Sequence, residues 1–194
     1  MAAIAPRAEA RTGAILGALA RYLALFGGVI LAAIAGMTVA SIIGRAMVPL
    51  GLGPVPGDFE LVQVGCAIAV FSFLPWCQLN RGHVTVDILV ERFPRATQRG
   101  FLLLGDIALT AVAFVAMWQL YLGMLDKFCP SPTDPIVGWL WTTLGNADQF
   151  CWVEATYELN MPVWWGYALG LVGAAAFFVT GLYTIWRALN EVLS

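Results

Sequence analysis

A chain of 194 residues that is 60% hydrophobic and only 11% charged, with a mean hydropathy of +0.81, lacks the charge needed to cover a soluble domain of this size. Its formal net charge of −2 offers no basic surface to a nucleic acid or other polyanion. What remains is an integral membrane protein, and lipids are its expected surroundings.

A helix rising about 1.5 Å per residue needs roughly 20 apolar residues to cross a ~30 Å hydrocarbon layer. Tyr22–Gly44, Leu61–Leu79 and Pro162–Trp186 meet that length without a charged residue, and Phe101–Met124 meets it with Asp106 near one end. Alternation with a period near two is missing, which argues against a β-barrel. The predicted fold is all-α: a single membrane domain over residues 1–194 with four transmembrane helices.

In the first span, Val39-Ala40-Ser41 loosely resembles a cleavage site. The apolar run before it is longer than the ~7–15 residues of a signal-peptide core, so the segment is expected to stay as a helix. Gly28, Ala32, Gly36, Ala40 and Gly44 recur every four residues along it. Small side chains let two backbones approach closely, and close packing is what joins helices in lipid. Two uses are open for this row: packing inside the bundle, or docking another subunit.

The connection Ala46–Glu60 is rich in Gly and Pro, which forbids a long helix. It ends in Asp58-Phe59-Glu60, where acids suit the positive N-terminal end of the second helix. Arg45 closes the first helix at the same depth, so an ion pair with Asp58 or Glu60 stands against the alternative that all three meet headgroups and water. Pro75 falls late in the second span, where neighbouring helices absorb a kink. After the break at Asn80-Arg81-Gly82, residues Val84–Phe93 set Val84, Ile88, Leu89 and Phe93 against Asp87, Glu91 and Arg92, the pattern of a short interfacial helix stopped by Pro94.

In the third span, Asp106 is the ionisable group nearest the bilayer interior. A charge at mid-membrane costs about 2.5–3.5 kcal/mol on insertion scales. Asp106 lies close enough to the helix entry for water, Arg99 or Arg95 to reach it, and a structural role is expected. Residues 125–161 form a long extension before the fourth span, with Trp139, Trp141 and Trp152 and a surface-lying candidate in Ile136–Leu144. A loop this long is rarely idle.

Orientation follows from Lys and Arg in the connections. Arg7, Arg11, Arg21, Arg81, Arg92, Arg95, Arg99 and Arg187 fall on one side and account for all the basic residues except Arg45 and Lys127. Both termini and the 80–100 connection are therefore expected in the cytoplasm and residues 125–161 in the periplasm of a bacterial inner membrane. Tyr22, Trp76 and Trp186 at one set of boundaries, with Trp118, Tyr121, Trp164 and Trp165 at the other, suit interfacial belts.

Chemistry is sparse. The sole histidine, His83, excludes bis-histidine haem ligation and multi-histidine zinc sites. His83 and Asp87 are four apart and would share a helix face as a weak cation site, although caps and local hydrogen bonds in the Gly82 turn explain them better. No CxxC, GxSxG, HExxH or phosphate-binding loop occurs. Catalysis, a cofactor and a metal site are accordingly not expected. Cys66 and Cys77 read as small buried hydrophobes. Cys129 and Cys151 share the outer loop, where an oxidising compartment would allow a disulfide.

Arg45, the Asp58-Phe59-Glu60 entry and above all Gly82-His83-Val84-Thr85-Val86-Asp87 resemble the small membrane subunit of tripartite ATP-independent periplasmic (TRAP) transporters, the DctQ-type family. Glu154-Ala155-Thr156-Tyr157-Glu158-Leu159-Asn160-Met161-Pro162-Val163-Trp164-Trp165 also looks like that family's entry to its last helix. The resemblance spans roughly Tyr22 to Trp186. It implies a scaffold subunit of a heteromeric secondary transporter for an organic acid. A separate large transmembrane subunit would carry the substrate and sodium sites, and a periplasmic substrate-binding protein would deliver the substrate. The length of Cys129–Asn160 departs from the family's usual pattern. The rivals are a four-helix membrane thiol-disulfide oxidoreductase, which would need a reactive cysteine pair and a quinone site, and an orphan tetraspan assembly factor.

Overall fold

A computed structural model describes residues 6–82, 94–127 and 154–193. Four long helices account for nearly all of them: α1 (Pro6–Ala46), α2 (Asp58–Leu79), α3 (Arg95–Lys127) and α4 (Trp164–Leu193). All four are long and apolar enough to cross a membrane. No strand occurs among the described residues, only an isolated bridge between Ala155 and Pro162.

Helices α1, α3 and α4 outrun the apolar segments that mark them. Helix α1 starts at Pro6 where hydropathy places a span only from Tyr22, and its 41 residues rise on the order of 60 Å. Hydropathy registers the most apolar part alone, whereas Ala, Leu, Arg and Glu in the preceding stretch are good helix formers that continue the rod beyond it. That extension is packed: Ala20 is buried, Asn190 Nδ2 of α4 donates to Glu9 Oε2 at 2.7 Å, and Gly13 sits against the Tyr183 hydroxyl. The N-terminal end of α1 thus lies beside the C-terminal end of α4.

Neighbours in space follow the order α1, α2, α4, α3. The arrangement is an open row rather than a closed bundle, with α2 and α4 in the middle. Small residues set the spacing. A Cβ on Gly27 would stand 3.0 Å from Ser72 Cβ and 3.1 Å from the Ala69 carbonyl, and one on Gly65 would stand 2.9 Å from Ile34 Cγ2. Between α2 and α4 the contact is closer. Pro75 has no N–H to give the Phe71 carbonyl four residues earlier, and Gly173 of α4 faces that carbonyl, with a Cβ there only 2.6 Å from the oxygen. Pro75 is buried and lies within a continuous α2, so the neighbouring helix covers the site of the missing bond.

Two readings shift. Cys66 and Cys77 are half-buried rather than buried. The interfacial helix at Val84–Phe93, and the part of the 125–161 extension running from 128 to 153, lie outside the described residues.

Candidate functional site

At the end of the row where α2 begins, the Arg45 guanidinium lies 3.7 Å from Asp58 Oδ2. Ser41, almost wholly buried, donates its hydroxyl to the same oxygen at 2.5 Å and accepts the Val55 N–H at 3.3 Å. Asp58 therefore ties the end of α1, the Gly/Pro-rich connection and the start of α2 together. Its other oxygen accepts the Phe59 N–H at 2.8 Å. Gly57, just before α2, has a φ of +73°, a conformation glycine adopts without steric cost. The Leu159 side chain presses on it where a Cβ would stand.

Glu60 takes a different partner from Arg45. Its carboxylate accepts the N–H groups of Glu158 at 2.8 Å and Leu159 at 3.1 Å, while the Glu158 carboxylate accepts the Gly57 N–H. These residues belong to a tight loop over 154–163. It is closed by Thr156 N–H to the Met161 carbonyl at 2.9 Å and Val163 N–H to the Glu154 carbonyl at 3.0 Å, and Asn160 turns it with a φ of +53°. Tyr157 at its tip is 99% exposed. Lys127 at the end of α3 reaches Glu154 at 2.9 Å and Asp126 at 3.2 Å, so the loop is fastened to two helices. Beneath it, an apolar recess of about 630 Å³ opens between α1, α2 and α4, lined by Ile34, Met37, Val64, Ile68 and Trp165.

At the opposite end lies a buried polar cluster. Gln78, Thr184, Thr110 and Asp106 are all buried. Gln78 Nε2 donates to Thr184 Oγ1 at 2.9 Å and to Asp106 Oδ1 at 3.3 Å, and Thr110 donates to the Asp106 carbonyl at 2.6 Å. Among the described residues, the cation that pairs with Asp106 is Arg81, at 3.8 Å, where Arg99 was one candidate; the Arg95 side chain lies outside the description. Arg81 has a φ of +49°; the chain turns there at the end of α2 and swings its guanidinium back over α3. Arg81 also meets Glu191 at 3.1 Å, and Arg187 reaches the Leu79 carbonyl at 3.4 Å. Sequence reading singled out Asp106 and missed Gln78, Thr184 and Arg81 as its partners. A polar residue next to the last position of an apolar run, as Gln78 is, was the available signal.

The small-residue row of α1 divides. Ala32, Gly36 and Ala40 are exposed within the chain, and nothing lies within 4 Å of a Cβ placed on Gly28 or Gly36. Gly44 instead abuts the Gly53 backbone carbonyl of the connection. Internal α1–α2 packing uses Gly27, one residue away from the row. Only 6% of the most apolar window of α1 is buried within the chain, against 39% for α4. His83, Asp87, Cys129 and Cys151 lie outside the described residues.

Among known proteins, a family profile described as "Tripartite ATP-independent periplasmic transporters, DctQ component" matches residues 34–191. No curated protein and no solved structure matches the chain. The matched range takes in Arg45, the 58–60 entry, the whole Arg81–Asp106 cluster and the 154–163 loop, and it covers most of the chain. The protein therefore belongs to the DctQ component family of the tripartite ATP-independent periplasmic transporters, as a multi-pass membrane component of a transporter.

Proposed function

We propose that this chain is the static scaffold of a sodium-coupled secondary transporter for an organic acid. Its partner is a large transmembrane subunit that holds the substrate and sodium sites, and a periplasmic substrate-binding protein docks on the assembly. The chain itself contributes no catalysis and no cofactor. It lies in the bacterial inner membrane with both termini and the Arg81 end in the cytoplasm, an orientation supported by the basic residues gathered at that end. Residues 125–161 then extend into the periplasm from a single membrane domain.

The observation that carries the reading is the open face of α1. A helix that packs on α2 along one face and leaves the opposite face open, with exposed Ala32, Gly36 and Ala40 in line, suits close approach by a helix of another subunit. Association in lipid has no hydrophobic drive to supply it, so shape is what such a face offers. Affinity purification of the tagged chain in mild detergent tests this. Recovery of a much larger multi-span membrane protein in stoichiometric amount is expected, and recovery of the chain alone under conditions that keep it folded would overturn the reading.

A further inference from the structure

Four buried side-chain atoms have no hydrogen-bond partner among the described residues: Gln78 Oε1, Asp106 Oδ2, Arg81 Nε and Arg187 Nε. Random burial does not produce such a set, because nearly all buried polar atoms in folded proteins are satisfied. All four belong to one connected cluster where α2, α3 and α4 meet. Arg81 touches Asp106 and Glu191, Asp106 touches Gln78, and Arg187 touches Glu191.

Two of the charged contacts in this cluster are long, whereas Arg81 meets Glu191 directly at 3.1 Å. Arg81 Nη2 lies 3.8 Å from Asp106 Oδ2, and Arg187 Nε lies 3.9 Å from Glu191 Oε1. Polar separations beyond about 3.5 Å are those at which a bridging molecule fits better than direct contact. Gln78 is 1% exposed and Asp106 6%, so bulk solvent does not do this work.

The chemistry of the orphans restricts what can satisfy them. Two are acceptors, an amide oxygen and a carboxylate oxygen, and two are N–H donors. A metal cation would serve the acceptors and repel the guanidinium groups. An anion would serve the guanidinium groups and be repelled by Asp106.

We propose that this cluster is a resident water site, in which one or more ordered waters donate to Gln78 Oε1 and Asp106 Oδ2 and accept from the arginine Nε groups. Water both donates and accepts, and a buried water typically makes about three hydrogen bonds. Its effect is to let the Asp106 carboxylate share the end of an apolar helix row with the Arg81 guanidinium without direct close pairing between those two. The three helices are thereby joined through solvent as well as through side chains. The inference is independent of the transport reading, since it concerns packing within this one chain.

The test is cryo-electron microscopy of the full chain in its membrane complex, or bound to an antibody fragment, at a resolution that shows ordered waters elsewhere in the same chain. Samples are prepared in sodium buffer and in sodium-free choline buffer. Density within hydrogen-bond distance of both Gln78 Oε1 and Asp106 Oδ2, unchanged between the two buffers, is the expected result. A site without density there overturns the proposal. Density that disappears when sodium is removed also overturns it, by assigning the site to a cation.

Discussion

Glu60 and Glu158 tie two segments together from opposite sides: the Glu60 carboxylate accepts the amides of Glu158 and Leu159, and the Glu158 carboxylate accepts the amide of Gly57. The pairing joins positions 98 residues apart through amide groups that helix and loop geometry otherwise leave open. The first N–H groups of a helix have no partner within it, and the turn at 157–159 likewise points its amides outward. Each carboxylate closes the other segment's deficit, and the loop before α4 is fixed to the start of α2.

That relationship predicts the effect of Glu60→Ala. The amides of Glu158 and Leu159 lose their acceptor, while the Thr156–Met161 bonds internal to the loop remain. Hydrogen exchange should accelerate several-fold at residues 158 and 159, with the centres of α2 and α4 unchanged. Equal protection in variant and native protein would show that the loop is held by Leu159 packing on Gly57 instead.

Gly36 and Gly27 lie on different faces of α1 and should behave differently when enlarged. Gly36→Leu meets nothing within its own chain, so the protein should fold normally but recover a membrane partner poorly in mild detergent. Gly27→Leu drives a side chain into Ser72 and the Ala69 carbonyl, and overpacking of this kind costs about 1–3 kcal/mol. It should lower the thermal stability of the isolated chain. Unchanged partner recovery with Gly36→Leu would remove the row from the interface.

Asp106 and Arg81 form a pair whose carboxylate is only 8% exposed. Removing one member of a buried pair typically costs about 3–5 kcal/mol because the other charge is left uncompensated. Asp106→Leu should fall below that range, since the Arg81 side chain is 26% exposed and keeps Glu191 at 3.1 Å. Adding Arg81→Met to Asp106→Leu should recover part of the loss, as replacement of a whole buried pair by apolar groups often does. Thermal melts in detergent read the cycle, and strictly additive losses would show the two groups to be uncoupled.

Cys129 and Cys151 are predicted to form a disulfide. Lys127 and Glu154, which border the segment containing both cysteines, meet at 2.9 Å, so the two strands of chain leave α3 and enter the 154–163 loop from adjacent points. Closing a loop of about twenty residues stabilises by roughly 3 kcal/mol in the chain-entropy model. Mass analysis of the thiol-blocked, non-reduced protein should find both cysteines unmodified until reduction. Uptake of the blocking reagent at both without reduction would refute the bond.

Local composition by itself determined the membrane class and the helix count, because both depend on the lengths of the apolar runs alone. It also brought Arg45, Asp58 and Glu60 into view as charges at one depth, through the short connection between α1 and α2. Which partner each would take was beyond it. Asp58 faces Arg45 and Ser41, whereas Glu60 faces a loop 98 residues away, and helix rotation about its own axis decides such a choice. The same rotation turned Gly27 inward and left Gly36 outward, a difference invisible to a four-residue spacing that both faces can show. Arg81 replaced Arg99 beside Asp106 because the left-handed turn at residue 81 sends the side chain back over α3. Hydropathy reads how a segment meets lipid, while the pairing of buried polar groups is settled by which helices become neighbours, and the order α1, α2, α4, α3 is a property of packing alone.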